Sequence, residues 1–280
     1  MQLRELQANG LTFRAREHGQ GMPALLLHGF PETSRMWVPL MERLAGEGFH
    51  CLAPDQRGYS PGARPAGVAE YDYDHLASDV TGFLDALGWQ RAHLIGHDWG
   101  AGAGWAALDV APERFLSWVA MSVPHITAFG RAIRENESQK KMSQYINFFR
   151  QVGTAEAAFS ANDYAALRGL YAQTHSADEI DEYISVFSQS GALTGGFNWY
   201  RASEGVLPTR NGEEFAPVAT PTLLLWGKND PAIGRDAIVA GKAYMTGPYE
   251  LLELDCSHWI VQEALDQVTG PIAAHLKKYN

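Results

Sequence analysis

The chain has 280 residues, 46% of them hydrophobic and 19% charged, enough apolar material for one large core without disulfide or metal staples. Its 22 basic and 32 acidic side chains leave a formal charge of −10, which excludes a basic nucleic-acid footprint and repels anionic surfaces. Cys51 and Cys256 are too few for a disulfide framework, and no apolar run approaches the roughly 20 residues that a bilayer span needs.

Met1 to Arg16 alternates polar and apolar residues and lacks the basic-then-apolar order of an export signal. With the two lone cysteines, this makes a cytoplasmic location the expectation. Leu3–Leu6 and Leu11–Ala15 flank Asn9-Gly10, a dipeptide that readily takes the positive φ angles of a type I′ turn, so a hairpin is predicted. Short apolar runs follow at Ala24–Leu27, His50–Ala53, His93–Ile95 and Trp118–Met121, with helix-length stretches between them at Trp37–Glu47, Asp74–Leu87 and Gly100–Val110. Strands alternating with helices pair in parallel, because a crossover needs a helix-sized connection. The fold class is therefore α/β, a mostly parallel sheet flanked by helices. From about His125 to Phe215 the alternation stops and the sequence reads as helical. Asn136-Glu137-Ser138 within it spells a glycosylation sequon, read here as helix surface. Strands resume at Thr222–Trp226 and Tyr249–Leu254, and a final helix is predicted over Glu263–Lys278. The division is a core of 1–124 and 217–280 carrying a helical lid of 125–216 over the carboxyl ends of the strands, where open α/β sheets bind ligands.

Chemistry concentrates at three strand ends. After the third apolar run stands Gly96-His97-Asp98-Trp99-Gly100, followed by a small-residue helix. This is the nucleophile-elbow pattern with Asp in place of Ser, and it lifts Asp98 to a helix N-terminus, where a carboxylate is stabilised. An Asp capping an ordinary βα loop gives the same pentapeptide, so the motif alone does not decide. Gly100, Gly102 and Gly104 miss the dinucleotide fingerprint, because Ala107 stands at its third glycine, and His93 and His97 on a strand do not share a metal. Leu27-His28-Gly29-Phe30-Pro31-Glu32 occupies the loop that supplies one oxyanion-hole N–H, which makes Phe30 and Trp99 the candidate donors. Asp230 and His258 close the next two strand ends in the chain order nucleophile, acid, base. Asp255 is a rival acid, but only three residues before His258 it leaves the sheet in another direction.

With these motifs in place, the sequence resembles the α/β-hydrolase superfamily over nearly its whole length, and its epoxide hydrolase branch in particular. His28-Gly29-Phe30-Pro31 matches that branch's HGxP loop, whose x–Pro bond is typically cis, and Gly96 to Gly100 matches its elbow. Tyr145 and Tyr200 align with two lid tyrosines that hold the epoxide oxygen. The resemblance implies an α/β-hydrolase fold and an Asp98 ester hydrolysed by His258 and Asp230. It also implies oxyanion donors Phe30 and Trp99, and His28, Pro31 and Trp199 against the substrate. A small-molecule epoxide is the expected partner, with neither cofactor nor metal. A phenol suits the task, since a group of pKa near ~10 stays protonated at neutral pH and can share a developing alkoxide charge. Two rivals remain at this point. A haloalkane dehalogenase shares the Asp–His–acid set but needs a halide cradle, for which Trp99 and Trp199 are available although Phe30 replaces the usual Asn. A ligand-binding protein on the same scaffold would form no covalent ester. Oligomeric state, substrate identity and stereochemistry are not legible.

Overall fold

The structure is a computed structural model that describes residues 1–203, 209–210 and 212–280. The chain opens with the expected hairpin, β1 (Gln2–Ala8) and β2 (Leu11–Gly19), joined by Asn9 and Gly10 at φ 50° and 74°. Its alternation then gives way to β3 (Met22–Leu27), α1 (Val38–Gly46), β4 (Phe49–Pro54), α2 (Tyr73–Ala86), β5 (Ala92–His97), α3 (Trp99–Val110) and β6 (Phe115–Met121). The helix expected over Trp37–Glu47 is α1, and a 3-10 turn leads into it. Thr33 caps a 3-10 turn over Ser34–Trp37, and Pro39 then sits in the first turn of α1, where its missing N–H costs nothing. The Asp72 carboxylate caps α2 by accepting from the His75 N–H at 2.9 Å.

Among the described residues six helices follow: α4 (Ile126–Glu135), α5 (Glu137–Met142), α6 (Tyr145–Phe149), α7 (Thr154–Tyr171), α8 (Ala177–Phe187) and α9 (Ala192–Ala202). Residues 204–208 and 211 of the expected lid lie outside the described residues. β7 (Thr222–Gly227), α10 (Arg235–Gly241), β8 (Tyr249–Leu254) and α11 (Ile260–Lys278) complete the chain.

The eight strands form one sheet in the order β1-β2-β4-β3-β5-β6-β7-β8. Among the described residues the pairs β1–β2 and β2–β4 are antiparallel, and the other five strand pairs of the sheet are parallel. Every residue of β5 and β7 is buried, as expected where helices cover both faces. α1 packs with α11, and α2 packs with α3. The parallel strands thus point their carboxyl ends the same way, toward the helices 126–202. α9 crosses the core loop at Gly58 almost backbone to backbone, since a Cβ on Gly195 would lie 2.6 Å from the Gly58 Cα. Glu182 of α8 reaches down to Arg16 on β2 in an ion pair. Among the described residues, no helix is long and apolar enough to cross a membrane.

Candidate active site

β5 delivers the chain to Asp98 at the centre of the sheet. Asp98 has φ 52° and ψ −122°, outside the favoured regions for a residue with a Cβ, and its side chain makes no capping bond to α3. The plain N-cap alternative is thereby removed, and the carboxylate projects upward instead. Such a turn requires α3 to pass against β3, and Gly100 makes that passage. A Cβ there would lie 2.0 Å from the Leu27 carbonyl oxygen. Gly100→Ala is accordingly expected to destabilise the fold by about 3 kcal/mol, read from urea unfolding, because backbone must shift to accept it.

The loop after β3 faces the elbow. The Phe30 N–H donates to Asp98 Oδ1 at 2.8 Å, and the Phe30–Pro31 peptide bond is cis. From the far strands come the other two groups. Asp230 follows β7, its side chain fully buried, with Oδ1 accepting from the N–H groups of Ala232 (2.7 Å) and Ile233 (3.0 Å). Its Oδ2 lies 2.7 Å from Nδ1 of His258, whose Nε2 lies 3.6 Å from Asp98 Oδ2. Burial disfavours a charged His258 ring, but Asp230 and Asp98 outweigh it and hold its pKa well above the ordinary 6.5. Asp255 is exposed and bonded to Asn229, away from His258.

Two phenols stand opposite. Tyr145 opens α6 and Tyr200 lies near the end of α9, their ring centroids 6.3 Å apart at 80°. Burial, and then the Asp98 charge, push both phenols well above 10, so each remains an O–H donor at neutral pH. The Trp99 side chain hydrogen-bonds Tyr200, with the two rings edge to face at 5.1 Å. Asp98, Tyr145, Tyr200, Phe30, Pro31 and His258 line a cavity of about 500 Å³. The first three also line a second chamber of about 60 Å³, walled by Val123, Ile126, Phe129 and Ile233. Asp98 and the tyrosines thus stand at the junction of a large and a small space.

Two expected substrate contacts need correction. His28 is fully buried behind the loop, where Nδ1–H donates to the Gly29 carbonyl (3.0 Å) and Nε2 accepts from the Gln56 N–H (3.0 Å). It shapes the loop and lines neither chamber. Trp199 points to the core, its Nε1–H donating to the Arg57 carbonyl at 2.9 Å. Sequence reasoning also passed over Glu32 and His97, which are buried and close to each other behind the site. A carboxylate placed within a buried loop motif was the available signal. His93 turns instead to the Ser117 hydroxyl, so the two β5 histidines converge on nothing.

Residues 23–265 match the alpha/beta hydrolase fold family. Mouse epoxide hydrolase 4 is 34% identical over 286 residues, covering 98% of this chain and 78% of that one. Epoxide hydrolase A of Mycobacterium tuberculosis is 30% identical, covering 98% of this chain and 96% of that one. Among solved structures, an inhibitor complex of Bacillus megaterium epoxide hydrolase superposes with a TM-score of 0.90 at 25% identity, covering 98% of this chain and 100% of that one.

Proposed function

The chain belongs to the α/β-hydrolase fold family and is an epoxide hydrolase within it, and from that premise we propose a division of labour among its side chains. Asp98 Oδ2 attacks an epoxide carbon, the C–O bond of the ring breaks, and the departing oxygen takes a hydrogen bond and then a proton through Tyr145 and Tyr200. A hydroxyalkyl ester on Asp98 results. His258 Nε2 then takes a proton from water, and the hydroxide adds to the ester carbonyl carbon. The negative charge gathers on Oδ1, which the N–H groups of Phe30 and Trp99 are proposed to hold. Collapse breaks the bond from the carboxyl carbon to Oδ2, whose departing alkoxide takes the proton held on His258. The proton of the added hydroxyl, lost as the carboxylate re-forms, returns through solvent to the tyrosine that gave one up, and a vicinal diol leaves. None of these steps calls on a cofactor. The observation that carries this reading is one uncapped carboxylate sharing a cavity with two protonated phenols and an imidazole fixed by a buried Asp230.

The charges are arranged for that order of events. Before reaction, His258 sits between two carboxylates, which favour its charged form. Esterifying Asp98 removes one of them, so ring opening itself moves His258 toward the neutral form that can accept a proton.

A dehalogenase is disfavoured on physical grounds, since the Trp199 indole N–H is already committed to a backbone carbonyl and has none to offer a halide. The stretch 125–216, whose described helices run from Ile126 to Ala202, is proposed as the lid that supplies the tyrosines. The two free, buried cysteines support a cytoplasmic location.

Tyr145→Phe and Tyr200→Phe are each expected to slow ring opening about 10²-fold, with the double variant slower still. Diol release from a panel of small epoxides measures this, and haloalkanes with halide detection serve as the control. Undiminished epoxide turnover in the double variant would refute the assignment of the phenols.

A further inference from the structure

The loop after β7 is held from three sides. Asp230 Oδ1 accepts from the N–H groups of Ala232 (2.7 Å) and Ile233 (3.0 Å), and the Ile233 carbonyl accepts from Trp226 Nε1 at 3.0 Å. The third hold comes from the helices above. Gln139 of α5 is 2% exposed, and its Nε2 donates to the Ala232 carbonyl at 2.7 Å. Its Oε1 accepts from the Gly234 N–H at 2.8 Å, and Nε2 also donates to the Ser143 hydroxyl at 3.0 Å. One side-chain amide thus pairs with a carbonyl and an N–H of the loop, as a neighbouring strand would, and both of its donor hydrogens are used.

The Ala232 carbonyl and the Ile233 N–H belong to the same peptide unit. That unit is planar, so its two ends turn together. Gln139 pins one end, and the other end is bonded to Asp230. The bond at the carbonyl also polarises the peptide and strengthens the one its N–H makes. Trp226 acts on the following peptide unit, at the Ile233 carbonyl. Asp230 in turn holds Nδ1 of His258 through its other oxygen, at 2.7 Å.

We infer that Gln139 is a positioning residue for ester hydrolysis, reaching from α5 through the 232–233 peptide to Asp230, so that seating α5 on this loop orients the acid that holds His258. The inference rests on the roles of Asp98, Asp230 and His258 proposed above. Gln139 touches none of the reacting atoms. In the proposed scheme ring opening uses Asp98 and the two phenols, so loss of the amide slows the second half of the reaction and spares the first. Two neighbours supply the contrast. Ser143 takes the amide's other hydrogen, and Asp236 of α10 accepts from Asn136, the cap of α5, at 2.7 Å. Each fastens this region without bonding to the 232–233 peptide.

The experiment follows formation and decay of the ester on Asp98 separately, by rapid mixing and quenched-flow mass spectrometry, with styrene oxide as the probe. Gln139→Met keeps the side-chain length and removes both donors and the acceptor. It should form the ester within about threefold of the wild-type rate and hydrolyse it about tenfold more slowly. Gln139→Glu tests the bond itself. Buried against a carbonyl and a hydroxyl, the new carboxyl stays protonated at low pH, where it donates to the Ala232 carbonyl and still accepts from Gly234. At about pH 6 its decay should lie within about threefold of wild type, and that recovery should fade as the carboxyl ionises on raising the pH. The charged groups around this seat are Asp236 from α10, Glu137 and Lys140 on α5, and Asp230 behind the peptide. Wild type and Gln139→Met share all of them, so a fading recovery belongs to the new carboxyl. The ratio of Gln139→Glu to wild type across pH keeps the test open if Gln139→Met folds poorly. Ser143→Ala and Asp236→Ala should each leave decay within about twofold of wild type. Unchanged decay in Gln139→Met, equal slowing of formation and decay, decay as slow in Asp236→Ala, or a pH-independent ratio in Gln139→Glu overturns the inference. A wild type that forms no ester overturns it together with the role of Asp98, whereas ester that forms normally confines the failure to Gln139.

Discussion

Asp98→Ala is expected to lower epoxide turnover by at least about 10⁴-fold while the protein remains folded. The reasoning is geometric. Asp98 is the carboxylate shared by both chambers, and the other acid of the proposed triad, Asp230, is bound by two backbone N–H groups and His258, which hold it away from a substrate. Without Asp98 the tyrosines still polarise an epoxide oxygen, but the only attack left is by water on the ring carbon. Alanine keeps the Cβ and introduces no clash, so unfolding by urea should change little. Retention of more than about one per cent of wild-type turnover would mean that the chemistry does not pass through this side chain.

His258→Gln should separate the halves of the reaction. Ring opening needs a carboxylate and two phenols but no base, so it continues. Ester hydrolysis needs a base on water, and losing one typically costs about 10²- to 10⁴-fold. The ester then accumulates, and the intact protein gains the whole mass of the epoxide, because ring opening expels nothing. A haloalkane would add its mass less that of hydrogen halide, and a binding protein would add nothing. The mass located on the peptide carrying Asp98 distinguishes all three. pH tells the same story with a definite sign. His258 has its pKa raised in the resting site and must be neutral to act, so hydrolysis of the wild-type ester should quicken as pH rises.

Much of this site was readable in one dimension because it is built from backbone constraints. The Gly100 approach to Leu27 and the turn at Asp98 demand particular residue types at adjacent positions, and such demands leave a contiguous trace. Asp230 and His258 were legible for a related reason, since parallel strands deliver their ends to one edge of the sheet in a known order. What stayed hidden depends on which way a side chain turns. His28 and Trp199 belong to the right motifs but direct their polar atoms to backbone groups behind the site. The surroundings of Glu32 come from positions 97, 175, 183 and 262, four distant places in the chain that no local pattern unites.

The bond from the Phe30 N–H to Asp98 Oδ1 labels the two oxygens of one carboxylate differently. In the proposed mechanism the held atom remains with the protein, and the unheld one is joined to the substrate and departs as a hydroxyl of the product. Solvent would then refill the vacancy, making the polypeptide itself a reagent, spent and renewed at each cycle. In ¹⁸O-enriched water the first diol made by each molecule would carry ordinary oxygen, and heavy isotope would enter the protein before it entered the product.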